Sequence, residues 1–527
     1  MRTTRGTWSL AGIVAGAAGV ATSYAVAMAM TIRESPVVAV GELVVKVTPG
    51  AVVDRLVRYL GALDKPLLVL GILLLLTALF AWTGRLARRA WWAPIPVYAA
   101  LAALGAVAVL LPRSTGTIDL VPVLVGLATW LVGILLLTDP LRRSERAEQR
   151  AALPADDPRH IDADQVEHRQ RRSRRAFVVL TALVAGGSAV VALVGRTIGS
   201  GRRHVEETRR LLRLPGVTEP QVPARARLPE PVEGLTPWVT PAEDFYRVDT
   251  ALVVPTIEPD AWRLRIHGMV ERELLLTYDD LLARDLTEAW VTLTCVSNPV
   301  GGDLAGNAWW SGVRVAELLA EAGVHPDADA VLQTSEDGWT CGTPLVALTD
   351  NRDALLAVAM NGQALPIEHG FPVRTVVPGL YGYVSATKWV VDMEVTRFSD
   401  IEAYWTSQGW AEQAPIKLAS RIDVPSQGAE VPAADLVLAG VAWAQPTGIR
   451  AVEIALDGGP WQPAEVAVPP TNDTWVQWSA RVDVEPGDHL VRVRATDKFG
   501  LVQTGVERDV RPDGATGWHT VEFSVTS

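Results

Sequence analysis

A chain of 527 residues is too long for one ordinary domain. Its 59 acidic against 48 basic residues leave a net charge of −11, which excludes a general nucleic-acid binder because phosphate backbones need basic surface. Two cysteines, neither in a CxxC pair, are too few for a disulfide scaffold or a thiolate zinc site.

Composition divides the chain near residue 200. Ahead of that point Ala, Val, Leu and Gly run at membrane-spanning lengths. An apolar stretch of about 20 residues crosses a bilayer as a helix. Four such stretches precede residue 140, at 8–30, 66–84, 93–112 and 118–138, so residues 1–140 are a predicted four-helix transmembrane region. Residues 141–175 read as a cytoplasmic Arg-rich loop, and 176–198 as a fifth transmembrane helix. Lys and Arg in short loops favour the cytoplasmic side. With the N-terminus inside, Arg2, Arg5, Arg85, Arg88, Arg89 and the arginines from Arg142 to Arg175 lie inside; they outnumber Arg33, Lys46, Arg55, Arg58, Lys65 and Arg113 outside. An odd number of crossings then places everything after about residue 200 on the extracytoplasmic side. Ser173-Arg174-Arg175-Ala176-Phe177 resembles a twin-arginine export signal set internally, with a plain positive-inside anchor as the alternative. No His precedes His160, so the apolar half offers no pair of axial ligands for haem.

Residues 199–240 are rich in Arg, Pro and Glu without hydrophobic periodicity and read as a linker. Between 241 and 414, strand-like runs such as Trp262–His267 and Trp290–Cys295 alternate with helix-like runs such as Val313–Ala322, which predicts an α+β domain. From 415 to 527 the pattern is all strand. Val452–Leu456 before Asp457-Gly458, Trp475–Val484 and His489–Ala495 alternate with period two, as in an immunoglobulin-like β-sandwich.

Cys295 ends an apolar strand and opens a loop of turn formers, Val296-Ser297-Asn298-Pro299-Val300-Gly301-Gly302. A strand-to-loop junction can present a sulfur to a ligand, and glycines allow close backbone approach. Taken singly, such a cysteine is as well explained as a small buried hydrophobe. The whole segment Trp290–Gly312 strongly resembles the metal-binding segment of the sulfite oxidase family. Further likenesses follow in order. Phe245-Tyr246-Arg247-Val248-Asp249 is similar to an early cofactor-contacting strand, and Asp337-Gly338 to an acidic turn. His369 to Arg374 with Pro378-Gly379 and Thr387-Lys388-Trp389 resembles the longest cofactor motif. Gly440–Trp443, Leu456–Gly459 and Gly517-Trp518-His519 resemble the dimerisation domain.

The resemblance implies a multi-domain, membrane-anchored oxidoreductase in which Cys295 holds molybdenum beside molybdopterin. Phe245, Tyr246, Arg247, Asp249, Asp337, His369, Arg374, Thr387 and Lys388 would bind the cofactor, with Arg247 and Trp310 also facing a small-molecule substrate. A soft thiolate suits the metal, and the cofactor's phosphate and pterin edges call for fixed cations and polar groups. Oxygen-atom transfer, a separate electron-transfer partner and a homodimer through the last domain are further implications. The rival from another class is a cofactor-free binding module that retains the fold. Departures from the family pattern bear on substrate: Val300 stands where a second arginine is expected, and Asp249 where a histidine is expected. Near Gln408–Trp410 an expected aromatic hydroxyl is missing, while Arg511 is a candidate for a further arginine. A small dianion such as sulfite needs opposed charge, so these departures predict a neutral or less charged substrate.

Overall fold

The computed structural model describes residues 4–30, 36–48, 52, 64–110, 117–198, 201–433 and 436–526. Arg2, Arg33, Arg55, Arg58 and Arg113, used above for orientation, lie outside the described residues. Two units emerge, one of Met1–His204 with Thr250–Val254 and one of Val205–Asp249 with Pro255–Ser527.

The first unit is helical: α1 (Arg5–Ala29), α2 (Pro36–Val47), α3 (Asp64–Arg89), α4 (Ile95–Leu110), α5 (Val121–Ala151) and α6 (Ala163–Ile198). Among the described residues, four segments are long and apolar enough to cross a membrane, namely Arg5–Ala29, Pro66–Arg89, Thr117–Ala151 and Ala163–Leu193. The stretch expected to span at 93–112 forms the 16-residue α4. Residues 111 and 112 of that stretch lie outside the described residues. The Arg-rich segment 141–175 is mostly not a loop. α5 continues to Ala151 and α6 starts at Ala163, because the Glu, Arg, Gln and Ala there are strong helix formers. Ion pairs one turn apart, Asp139 with Arg143 and Glu167 with Arg171, add support. Arg174 and Arg175 therefore sit within a continuous helix.

Small residues let these helices touch backbone to backbone. A Cβ on Gly12 would overlap the Phe80 carbonyl, and one on Gly84 the Trp8 carbonyl, so α1 and α3 meet as closely as backbones allow. At one end of the bundle Glu145 accepts hydrogen bonds from Trp8 Nε1 (3.3 Å) and Arg88 Nε (2.8 Å). Leu74, Leu75, Leu183 and Leu193 point outward, an apolar face suited to lipid.

The second unit is β-rich. Its first part holds two sheets. One is ordered β2-β1-β10-β5-β6, from β1 (Arg263–Gly268), β2 (Leu274–Thr277), β5 (Ala330–Ser335), β6 (Thr340–Pro344) and β10 (Val390–Thr396). The other is ordered β3-β4-β7-β8, from β3 (Thr287–Thr294), β4 (Ala305–Arg314), β7 (Leu355–Met360) and β8 (Gln363–Ala364), with β9 (Arg374–Val376) paired to β7. Helical segments are short, as at Val315–Ala322. The last part is two further sheets. One runs β11-β13-β17-β16, from β11 (Ala419–Val424), β13 (Val437–Trp443), β16 (Glu465–Val466) and β17 (Val476–Arg481). Its partner runs β12-β19-β18-β14-β15, from β12 (Glu430–Pro432), β14 (Ile449–Leu456), β15 (Gln462–Pro463), β18 (Gly487–Asp497) and β19 (His519–Thr526). Alternate residues of both, including Leu438, Val452, Ile454, Trp478, Val491, Val493 and Phe523, share one buried core, so this part is a β-sandwich.

The segment read above as a linker is packed into the second unit from Val205 to residue 240. After α7 (Gly201–Leu211) the chain runs as a strap into the second unit's core, where Trp238 is fully buried. Trp238 Nε1 donates to the Trp475 carbonyl (3.2 Å), Trp475 Nε1 donates to the Trp238 carbonyl (2.9 Å), and Asn307 Nδ2 donates to that same carbonyl (2.9 Å). Trp238→Ala should cost about 3–5 kcal/mol, as truncating a buried aromatic does. Thermal unfolding should show it as a fall in Tm on the order of 10 °C.

Candidate active site

β3 is buried along its length from Ala289 and delivers Cys295, whose residue is 8% exposed. The loop that follows is closed by its own bonds. Cys295 N donates to the Leu304 carbonyl (2.9 Å), Asn298 N to the Cys295 carbonyl (3.1 Å), and Leu304 N to Asn298 Oδ1 (2.9 Å). Burial pushes the Cys295 thiol up, and hydrogen bonds from the Ser297 backbone and hydroxyl pull it part of the way back. Those donors would equally steady a thiolate once a metal replaced the proton.

Tyr246 lies within electrostatic reach of both the Cys295 sulfur and Arg374. Burial holds the phenol far above its ordinary range, Cys295 adds to that, and Arg374 opposes it. Arg374, at the start of β9, is 5% exposed. Its Nη1 donates to the His369 carbonyl (3.1 Å), its Nε to the Thr375 carbonyl (3.4 Å), and its guanidinium lies 5.0 Å from the Trp310 ring centre. Burial pushes it down to about 10, so it remains a cation at neutral pH. Among the described residues no carboxylate forms an ion pair with it.

Phe245 organises the aromatic side of the cluster, stacking on Tyr246 at 5.2 Å and meeting Trp310 and His369 edge-on at 5.8 and 5.6 Å. It lies flat on β4, where a Cβ on Gly306 would come 2.6 Å from its ring. His369 Nε2 is 2.8 Å from the Ala242 carbonyl. Burial foremost, then Arg374, Lys388 and Arg247, bring its imidazole down to about 4, so it is neutral and Nε2 carries the donated proton. Lys388 Nζ donates to Asp249 Oδ2 (2.8 Å) and to the Glu368 carbonyl (3.3 Å), and sits 4.7 Å over Trp389. Burial pulls its ammonium down to about 8 against the opposing pull of Asp249.

The structure thus brings Phe245, Tyr246, Cys295, His369, Arg374, Lys388 and Asp249 into one neighbourhood. Arg247 is exposed and reaches it through its field on His369. Asp337 caps its own turn, accepting from Trp339 N (3.2 Å), and acts electrostatically on Lys388. Thr387 is fully buried, its N donating to Thr375 Oγ1 (2.8 Å), so it braces the segment that carries Lys388. Trp310 differs from its expected place against a substrate. It has no exposed surface and its Nε1 donates to the Val291 carbonyl (3.1 Å), which makes it the platform beneath Arg374. Asp249, expected as an unopposed negative charge, is neutralised by Lys388 in a pair whose side chains are 8% and 10% exposed. The aromatic hydroxyl that the sequence lacks beside Trp410 arrives from elsewhere. Tyr383 packs 5.7 Å from Trp410 and donates to the Ala411 carbonyl (2.7 Å), and Arg511 lies 5.3 Å over the same indole.

Sequence reasoning missed Arg421, Asp423, Thr236 and the placement of His519. Arg421 Nη1 donates to the Gly302 carbonyl in the Cys295 loop (2.8 Å) from β11 of the sandwich. His519 alone had a signal, as the last residue of Gly517-Trp518-His519.

A buried sulfur at a strand end and a buried cation with no carboxylate partner among the described residues, both acting on Tyr246, fit a group that brings both a soft metal and negative charge. Thr294 Oγ1, adjacent to Cys295, is a buried polar atom left without a partner by the protein and fits the same requirement. Comparison with known proteins agrees. The family profile described as an oxidoreductase molybdopterin binding domain matches residues 251–405. Sulfite oxidase of Gallus gallus is 29% identical over 335 residues, covering 54% of this chain and 72% of that protein. Mitochondrial sulfite oxidase of Rattus norvegicus is 30% identical over 344 residues, covering 55% of this chain and 62% of that protein, so less than two thirds of the rat chain is matched. The uncharacterized oxidoreductase YuiH of Bacillus subtilis (strain 168) is 35% identical over 149 residues, 28% of this chain and 72% of that one. By its motifs, its site and these relatives, the chain belongs to the sulfite oxidase family of molybdopterin-dependent oxidoreductases.

Proposed function

We propose that the protein is a membrane-anchored enzyme that transfers an oxygen atom to or from a small molecule at a molybdenum held by Cys295. The observation that carries this reading is Arg374, a buried guanidinium with no ion-pair partner among the described residues, in electrostatic reach of Tyr246 beside Cys295. A cation kept out of water without a counter-charge is costly, and an anionic cofactor supplies one. The same charge argues against a cofactor-free binding module, which has no use for it. When bound, molybdopterin with its metal supplies the two-electron chemistry.

The chain's own residues do the rest. Cys295 holds the metal through sulfur, with Ser297 donating to it. Arg374 offers a planar fork to phosphate or pterin oxygens, held flat on Trp310. Neutral His369 keeps Nδ1 free as an acceptor because Nε2 is committed to Ala242. Trp410, Tyr383 and Arg511 form the wall we assign to substrate. Electrons pass to or from a separate protein partner, and the sandwich, read as immunoglobulin-like, joins two copies. Metal and pterin analysis of purified protein should give about one of each per chain, the stoichiometry of a single thiolate ligand; absence of both would refute the reading.

Substrate choice rests on Val300, since the pairing of Asp249 with Lys388 removes the repulsion expected there. Val300 is 36% exposed and brings no charge where an arginine is expected. We expect sulfite to be a poorer substrate than a neutral sulfoxide in steady-state assays. Val300→Arg should raise sulfite turnover by roughly 10- to 100-fold, the worth of one charge-assisted contact, and leave neutral substrates little changed. Efficient sulfite turnover by the unmodified protein would overturn this assignment.

Orientation depends on α4. Four crossings return the chain to the side of its N-terminus, whereas a fifth through α4 sends the second unit across. We infer five, with the second unit outside, because the arginines of α5 and α6 then lie inside. Reporter fusions at residues 157 and 527 should report cytoplasmic and extracytoplasmic positions respectively; a cytoplasmic signal at 527 would exclude this topology.

A further inference from the structure

The Cys295 loop is held on both sides by the sandwich domain. Upstream, three residues before the sulfur, Thr292 N donates to the Asp473 carbonyl (2.9 Å), Trp475 N to Thr292 Oγ1 (2.9 Å) and Gln445 Nε2 to the Thr292 carbonyl (2.7 Å). β3 lies at the end of its sheet, and this segment takes up the edge that a further strand would otherwise pair with.

Downstream, the tip of the loop leans on two side chains. Arg421 is 7% exposed, and its guanidinium makes a three-way tie: Nη1 to the Gly302 carbonyl (2.8 Å), Nη2 to Thr236 Oγ1 in the strap (2.7 Å), and Nε to Asp423 Oδ1 (2.6 Å). Asp423 Oδ2 accepts in turn from Thr236 N (3.1 Å), so the arginine's direction is set by a closed ring of bonds. His519 covers Gly301, whose φ of +77° favours glycine and where any Cβ would overlap the imidazole ring. His519 Nδ1 accepts from Ile422 N (2.9 Å), which fixes the ring plane against the loop.

We propose that Arg421 and His519 are positioning residues that hold the Cys295 loop closed from the sandwich domain. The sandwich is then a component of the metal site as well as any contact between copies. The loop's own bonds secure its neck, between Cys295 and Leu304, and its tip has Gly302 N bonded to the Pro299 carbonyl. This pair adds support at the tip, where Val300 also lies close to Gly517. The assignment rests on Cys295 as the metal ligand, yet its test needs no metal.

The chain carries its own control, because its second thiol, Cys341, is fully buried on β6. The full-length protein is produced without cofactor, treated with N-ethylmaleimide under native conditions, and the modification rate of each cysteine is read by mass spectrometry. Arg421→Ala and His519→Ala should each speed modification of Cys295 by about tenfold or more, the population change expected when one charge-assisted or packing tie is lost, while Cys341 keeps its rate. Arg421→Lys, which keeps a cation but not the fork, should fall between. An unchanged Cys295 rate in both alanine variants overturns the proposal. So does a parallel rise at Cys341, because that marks loosening of the whole unit rather than of the loop. Metal and pterin content of the unmodified protein tests the ligand assignment separately.

Discussion

Cys295→Ser should abolish turnover with every substrate, while Cys341→Ser leaves it nearly intact. The two cysteines are both buried, and their difference lies in what surrounds the sulfur. Cys295 follows β3 with Ser297 donors beside it and with Tyr246 in electrostatic reach, and Tyr246 in turn feels Arg374. Cys341 is enclosed within a sheet, 3.5 Å from Thr343 Oγ1, and burial pushes its thiol up to about 11. A serine at 295 replaces a soft sulfur by a hard oxygen in the one position where softness sets the ligand field. Turnover per chain, metal content and the visible spectrum of the two variants check this together. An active Cys295→Ser protein would remove the central assignment.

Arg374→Met should have the second largest effect, and in opposite directions on two measurements. Methionine keeps much of the bulk over Trp310 but removes the charge. Each charge-assisted bond to the cofactor is worth about 1.5–3 kcal/mol, so pterin retention through purification should drop by about tenfold or more. The cofactor-free protein should unfold at the same temperature or higher, since an uncompensated buried cation has been replaced by an apolar side chain. Arg374→Lys is no rescue, because an ammonium cannot reproduce the two-pronged fork that bonds the His369 and Thr375 carbonyls. Thermal unfolding of cofactor-free protein and pterin fluorescence after denaturation give the two readings. If pterin content is unchanged, Arg374 is not the cofactor's counter-charge.

Much of the site was legible because its residues occur in short contiguous motifs. Phe245 with Tyr246, Cys295 with its glycine loop, and His369 to Arg374 each announce themselves locally, and the fold has only to bring a few segments together. What stayed hidden depends on contacts between distant segments. Nothing near Asp249 says that Lys388, 139 residues on, will neutralise it. Trp310 is expected against substrate from the family resemblance, whereas β4 is buried on both faces and encloses it completely. Arg421 lies in a short strand whose sequence gives no hint that its guanidinium reaches Gly302. The strap at 205–240 shows no periodicity because it forms neither helix nor strand for most of its length; single tryptophan and alanine anchors secure it, a pattern that reads as a linker. In the helical half, four of the apolar runs fall in helices long and apolar enough to cross a membrane.

The mutual bonds of Trp238 and Trp475 impose an order on biogenesis. The two residues are 237 positions apart, so the pocket around Cys295 cannot close when residue 295 leaves the ribosome. It must wait for Trp475 and then for His519 near the end of the chain. At about 5–20 residues per second the lag from Trp238 to Trp475 is roughly 10–50 s. From the synthesis of β3 until that of Trp475, the later part of that interval, the edge of β3 and the cysteine loop lack their covering. A cofactor delivered during synthesis would meet a half-built cradle, whereas one delivered afterwards meets a folded one. Covering of the Cys295 loop is completed only once His519 has been made.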